Sequence, residues 1–443
     1  MTYVTLDGAQ EALTPLSGEF ALIHNAPHVF PSYETVPLAP LRRRMSGGIR
    51  AIFFDMDGTT TLTEDLCLLA LEDTMRLLTR RPSAREWSGL DRVVDYPSII
   101  GSSTSKNLEY LLAAYADDID ENAFRDELIR ALALSLAEEP DPEHAGELRV
   151  LLAALDLESL ASAPELASLP SYATGRVRGA EPDLSGLVAR YASRARMESL
   201  GLRIRAGMAI YYERLHGMFV RIQLGRGREV AQELYGPGTV HAIRPLPGIG
   251  VVHALAKGWL GEEAATLAGL LQEHTGPLDN AEETLRELGR LFSAKPAQVA
   301  LVTSSGDYEA DIVLREVFDG LREEVALWPV SEPVRERVLA GFAEHRSFYD
   351  AVVTASHSHE IRLKPYRDLY SIALQNLGIP CEESHRVLGF EDTEAGIVAQ
   401  RAAGLGVCCA IPFEGSRGHN FQAASHVLHG GLPEAVLRHG LFL

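Results

Sequence analysis

The sequence predicts an α/β protein: a Rossmann-like, doubly wound parallel sheet interrupted by a large inserted helical domain. Three observations carry this reading. From Arg244 onward, short apolar runs alternate with helix-period stretches, the rhythm of strand–helix–strand crossovers in a parallel sheet. Near residue 50, Ile49-Arg50-Ala51-Ile52-Phe53-Phe54 is a near-continuous apolar run that stops at Asp55, as a buried parallel strand does at the sheet's C-terminal edge. Between the two, from about Leu62 to Leu246, the pattern is largely helical, so the strand near residue 50 is separated from the rest of its sheet by an insertion. The expected domains are an N-terminal arm over 1–44, a core over 45–62 and 244–443, and a helical domain over 63–243.

Length and composition fit that architecture. With 443 residues, 46% of them apolar, and a formal charge of −20, the chain is globular and long enough for two or three domains. The acidic balance argues against nucleic acid or an anionic membrane as the main partner. A phosphate-bearing ligand stays open, because a local lysine or metal reverses the field where it matters. No run approaches the roughly 18 apolar residues that span a bilayer, and the N-terminus lacks a basic-then-apolar signal layout. Cys67, Cys381, Cys408 and Cys409 show no framework spacing and no C-x-x-C, which reads as reduced thiols of a cytoplasmic protein.

Taken in order, the arm offers short candidate strands at Phe20–Ile23 and His28–Phe30, then a proline- and arginine-rich end at Pro37–Arg44. Met45 looks like a second start, and a chain beginning there is expected to fold and keep its activity. Leu66–Arg80, Glu121–Glu138 and Glu147–Leu157 have helical periodicity. Pro164–Gly186 is rich in Pro, Gly, Ser and Ala and reads as a linker; helical signal resumes over Leu187–Arg221. In the core, Asn280–Phe292 is helical, Val299–Thr303 a strand, Asp307–Phe318 a helix, Ala351–Thr354 a strand and Tyr366–Leu377 a helix. Arg386–Phe390 is a strand, Glu394–Ala403 a helix and Gly406–Ile411 a strand.

The chemistry gathers at the ends of these elements. In Asp55-Met56-Asp57-Gly58-Thr59 two carboxylates stand two residues apart before a sharp turn, so both can face one crevice. Such a crevice is where doubly wound sheets bind ligands. Alone, D-x-D-G also suits a surface turn or a calcium loop. Thr303-Ser304-Ser305-Gly306 ends a strand in hydroxyls just before a helix, a place for phosphoryl oxygens or for an ordinary N-cap. Lys364-Pro365 precedes the next helix; its ammonium could balance a phosphoryl charge or lie in solvent. Glu391 and Asp392 end another strand, and hard oxygens beside Asp55 suit Mg²⁺, though acids also cap helices. His357 and His359 read as loop residues, with no H-e-x-x-H pattern for zinc.

As an ordered set, D-x-D-G-T, T-S-S, K-P and G-F-E-D-T-x-A-G resemble the haloacid dehalogenase-like hydrolase superfamily. The chain is most similar to its β-phosphoglucomutase/phosphoglycolate phosphatase branch, in which a helical cap follows the first motif. The likeness covers roughly residues 49–115 and 244–412. It implies a Mg²⁺-dependent hydrolase acting on a small phosphorylated metabolite. Asp55 would be the nucleophile, forming an aspartyl-phosphate, and Asp57 the general acid and then base. Thr303 and the backbone N–H of Ser304 would hold the phosphoryl group, with Lys364 balancing its charge. Asp55, the carbonyl of Asp57, and Asp392 would hold Mg²⁺, with Glu391 in support. An acid at 57 disfavours phosphonate cleavage, because phosphonatase-like relatives lack it.

Within the inserted domain, Gly101, Ser102, Ser103, Thr104 and Lys106 resemble the specificity loop of this branch, although a polar helix–helix turn would look the same. The mutases of the branch carry Arg where this chain has Thr104 and His where it has Cys67. Both differences favour a phosphatase over a phosphomutase. If a cation had to replace that arginine, Lys106 and Arg221 are the candidates in the enlarged cap. A binding or scaffold protein on a retained fold is the alternative outside enzymes; the presence of both Asp55 and Asp57 argues against it.

Overall fold

The computed structural model describes every residue except 1–12, 15, 26–29, 46, 82–86, 88, 101–103, 139–141, 170–181, 360–361, 414–415, 417, 440 and 443, and the side chains of 97, 142–145 and 147. The chain forms two compact units, Met1–Thr63 with Ile243–Leu443, and Glu64–Ala242.

Strands β1 (Phe20–His24) and β2 (Tyr33–Pro37) pair antiparallel as a hairpin in the first unit. The sequence reading put the second strand at His28–Phe30. Residues 28 and 29 lie outside the described residues, and Phe30 is a bend whose side chain is 96% exposed, so the strand begins later. Tyr33–Pro37 shows no apolar run; its pairing is set by the hairpin and by docking onto the core, which hydropathy does not report. Strand β3 (Ala51–Phe54) follows, buried at every residue.

The second unit then supplies α1 (Glu64–Leu78), α2 (Thr104–Ala114), α3 (Glu121–Ala137), α4 (Leu200–Arg221) and α5 (Gly227–Tyr235). Helix α4 packs against α1, α2 and α3. Asp120 caps α3 by accepting from the N–H groups of Asn122 and Ala123, both at 2.9 Å. A wide turn over Ile222–Arg226 separates α4 from α5, and Gly225 takes the left-handed conformation there (φ 75°). Arg221 at the end of α4 is buried and ion-pairs with Glu233 of α5 at 2.8 Å.

The chain returns to the first unit with α6 (Ile249–Ala256), α7 (Ala281–Ala294), β4 (Gln298–Val302), α8 (Asp307–Ala326) and β5 (Ala351–Val353). It continues through α9 (Asp368–Asn376), β6 (Val387–Glu391), α10 (Glu394–Ala402), β7 (Val407–Ala410) and β8 (His426–Val427), with a short helix over Gly431–Leu437 after β8. The sheet order is β5-β4-β3-β6-β7-β8, and every pair is parallel. Strand β3 lies between β4 and β6, the place where strand order reverses and a crevice opens beyond the C-terminal strand ends. Successive β3 side chains point to opposite faces. Phe53 stacks on Tyr370 of α9 at 6.4 Å between ring centroids; Phe54 meets His253 of α6 at 4.9 Å and Phe390 of β6 at 5.3 Å. Aromatic packing on both faces thus fixes the strand that delivers Asp55.

Candidate active site

Asp55 continues the β3 ladder by one residue, its N–H donating to the Phe390 carbonyl at 3.1 Å. The chain then folds over itself. The N–H groups of Thr60 and Thr61 donate to the Met56 carbonyl at 2.9 and 3.1 Å, and Gly58 N–H to the Thr61 carbonyl at 2.8 Å. Thr60 Oγ1 donates to the Asp55 carbonyl at 2.6 Å, closing the turn beneath the carboxylate. Gly58 is required twice over: its φ is +81°, and a Cβ there would lie 2.5 Å from Asp392 Oδ2. Room for the Asp392 carboxylate is therefore written into the D-x-D-G motif.

Asp57 faces three hydroxyls. Thr303 Oγ1 and Ser305 Oγ donate to its Oδ2 at 3.3 and 2.8 Å, and Thr63 Oγ1 donates to Oδ1. Thr303 Oγ1 in turn accepts from Ser305 N–H at 2.9 Å. The T-S-S run therefore meets Asp57 through Thr303 and Ser305, while Ser304 is exposed just before α8. Ser305 and Thr63 were not singled out from the sequence. Glu309, on the first turn of α8, is pushed up to about 7 by burial and by the neighbouring Asp57 charge.

Lys364 reaches in from the turn before α9. Its Nζ donates to Asp55 Oδ1, to Glu391 Oε1 at 2.6 Å and to the Val302 carbonyl at 3.0 Å. Burial alone would lower its affinity for the proton, but Asp55 and Glu391 outweigh that and hold the ammonium well above the usual range. Burial pushes the Asp55 carboxyl up to about 8, against the pull of Lys364 and with Glu391 and Asp57 adding to the rise. Removing charge from water is the dominant cost here, and an additional cation would offset it.

Glu391 is fully engaged. Its Oε2 accepts from the N–H groups of Asp392 and Thr393, both at 3.0 Å, and from Thr393 Oγ1 at 2.9 Å. Its Oε1 accepts from Lys364 and, at 3.3 Å, from Tyr370. The final glycine of G-F-E-D-T-x-A-G makes this possible, since a Cβ on Gly396 would sit 1.8 Å from the Glu391 carboxyl carbon.

Asp55, Glu391 and Asp392, all buried, bring carboxylate oxygens within 4.8 Å of one another. That donor set fits a hard cation such as Mg²⁺. With Glu391 committed to Lys364 and to its own turn, Asp55 and Asp392 are the acids suited to direct contact.

The residues expected in the specificity loop lie in the second unit. Gly101, Ser102 and Ser103 fall outside the described residues. Thr104 opens α2, with its Oγ1 3.4 Å from Tyr212 Oη, and Lys106 is exposed on the same helix.

The parallel sheet with acids at its reversal point defines the class, a doubly wound α/β domain of the kind that binds ligands beyond its C-terminal strand ends. No family model matches the chain. The protein CbbY of Rhodobacter capsulatus is 32% identical over 143 residues, 31% of this chain; the match spans 61% of CbbY's own length. Solved structures of CbbY from Rhodobacter sphaeroides, one with phosphate and one with xylulose 1,5-bisphosphate, align at 18% identity and a TM-score of 0.36, over 89% of this chain and all of theirs. A β-phosphoglucomutase from Clostridium difficile aligns at 13% identity and a TM-score of 0.31, over 86% of this chain and 90% of that one. Over those 143 residues the chain is similar to CbbY, and its ordered motifs on this parallel sheet resemble those of the haloacid dehalogenase-like superfamily.

Proposed function

We propose that the protein is a Mg²⁺-dependent phosphatase that hydrolyses a small phosphorylated metabolite through an aspartyl-phosphate on Asp55. The observation that carries the reading is the meeting, on one sheet edge, of a lysine-bound buried Asp55 with an Asp57 lined by hydroxyls. An oxygen of Asp55 attacks phosphorus, and the bond from phosphorus to the leaving oxygen breaks. Asp57 gives its proton to that oxygen. Asp57 then takes a proton from water, whose oxygen attacks the phosphorus of the acyl phosphate; inorganic phosphate leaves and Asp55 is restored. Lys364 balances negative charge on the phosphoryl oxygens throughout. Mg²⁺, held by Asp55, the Asp57 carbonyl and Asp392, would supply charge neutralisation at the phosphoryl group.

The likeness to CbbY makes pentose phosphates and bisphosphates the first compounds to assay. The described helices include none long and apolar enough to cross a membrane. We place the protein in the cytoplasm, with a soluble metabolite as its partner. The test is release of inorganic phosphate from a panel of phosphomonoesters with Mg²⁺. Asp55→Asn should keep the fold and lower turnover by at least about a thousandfold. Turnover in that variant at the wild-type rate would refute the covalent mechanism.

A further inference from the structure

Lys364 sits on neither a helix nor a strand. Its turn is closed locally by Arg362 N–H donating to the His359 carbonyl at 2.7 Å and Tyr366 N–H to the Leu363 carbonyl at 2.9 Å. A long, flexible side chain on such a turn loses much rotamer freedom when its ammonium is fixed. The residues two before and two after it are both held from the other end of the chain. Arg362 donates to Glu34 of β2 at 3.2 Å, and Tyr366 Oη donates to Asn25 Oδ1 at the end of β1. The Arg362 guanidinium also lies 4.2 Å above the Tyr366 ring and bonds Asp368 of α9 at 3.1 Å. The bracketing side chains thus form one cluster, with Glu34 and Asn25 on its outer side.

The hairpin that carries these two residues is anchored elsewhere as well. Arg401 of α10, 3% exposed, donates to the Ala39 carbonyl at 3.1 Å and to Glu19, and Ala39 N–H donates to the Arg401 carbonyl at 3.0 Å. Arg43 donates to the Ser425 carbonyl beside β8. One end of the arm is therefore tied to α10 and the edge of the sheet, and the other to the lysine's turn.

We infer that the β1–β2 hairpin positions Lys364, with Glu34 and Asn25 acting through Arg362 and Tyr366; the catalytic part of this inference rests on the function proposed above. The Glu34–Arg362 pair is about one-third exposed on each side, and such pairs add little to stability. Its consequence falls on where the ammonium sits, and misplacement of a reacting group costs rate steeply.

The test uses the full chain with Glu34→Gln and Tyr366→Phe combined. Lysine acylation read by mass spectrometry reports Lys364 directly, with Lys106, Lys257 and Lys295 as internal controls. Lys364 should acylate about tenfold faster in the variant and the controls at unchanged rates. Its kcat on a phosphomonoester should fall about tenfold with KM little changed, and the loss should vanish in a Lys364→Met background. An unchanged Lys364 labelling rate overturns the inference. So does a rise shared by all four lysines with a lower melting temperature, which marks general loosening. Faster labelling with undiminished kcat overturns the catalytic part. A wild type without Asp55-dependent turnover defeats the proposed function, and the labelling then decides the hairpin's role by itself.

Discussion

His253 is wholly buried on α6, between Phe54, Phe348 and Tyr349, with neither ring nitrogen hydrogen-bonded to any described residue. Burial, with a smaller push from Lys257, lowers its pKa to about 3. In the unfolded chain the same ring takes a proton near pH 6.5. Between those values the unfolded state binds more protons than the folded one. Stability from this residue is therefore intact above about pH 6.5 and is lost as pH falls toward 3, by about 1.4 kcal/mol per unit. His253→Leu keeps an apolar side chain of similar size against Phe54 and removes the titration. Urea unfolding of both proteins between pH 7 and 4.5 should show a shallower loss in the variant, the difference reaching about 2 kcal/mol near pH 5. Parallel stability curves would show that the ring is protonated, or hydrated, in the fold.

At the scale of elements, the hairpin changes what the arm is expected to do. Read from sequence it is an appendage, and a chain beginning at Met45 should fold and retain turnover. In the fold its removal strips Arg401 of Glu19 and of the Ala39 carbonyl, leaving a buried guanidinium with its Ala423 contact at 3.5 Å. A protein lacking residues 1–44 should therefore lose on the order of 2 kcal/mol of unfolding free energy, measured by denaturant titration, and most of its turnover with it. An unaltered midpoint would make the arm dispensable. The difference in legibility is physical. Strands β3, β4, β6 and β7 are apolar runs with an acid, hydroxyl or glycine at the edge, so hydropathy found them. Asp55, Asp57 and Asp392 stand just beyond such edges, whereas Lys364 lies on the turn before α9 and is marked in the sequence by the proline after it. Ser305, Glu34 and Asn25 meet partners far away in the chain, and Thr63 meets Asp57 only because the chain turns back between them. Which hydroxyl meets Asp57, or which acid meets Arg362, is decided by packing, and no periodicity records it.

At the scale of the whole molecule, the proposed function turns on the fate of a phosphoryl group transferred to Asp55. Two acceptors compete, water and a hydroxyl of the substrate. A mutase must make water lose, which takes groups that hold a sugar phosphate in register through both half-reactions. By sequence resemblance, Thr104 and Cys67 stand where the mutase pattern has arginine and histidine. Arg221, one candidate replacement, is buried and spent on Glu233, whereas Lys106 is a single exposed cation on a flexible stem. A lone lysine gives charge without the two-pronged hold of a guanidinium. Under the proposed function, Asp57, bonded by hydroxyls that orient it, would activate water instead. Single-turnover reaction of a ³²P-labelled sugar phosphate with Mg²⁺ should therefore release inorganic phosphate in stoichiometric amount, with negligible isomerised sugar phosphate. Lys106→Ala should leave that ratio unchanged. The opposite result is as specific: added sugar bisphosphate would speed isomerisation while phosphate release stayed low, and Lys106→Ala would abolish the effect. That outcome would make Lys106 the anion clamp and the enzyme a mutase.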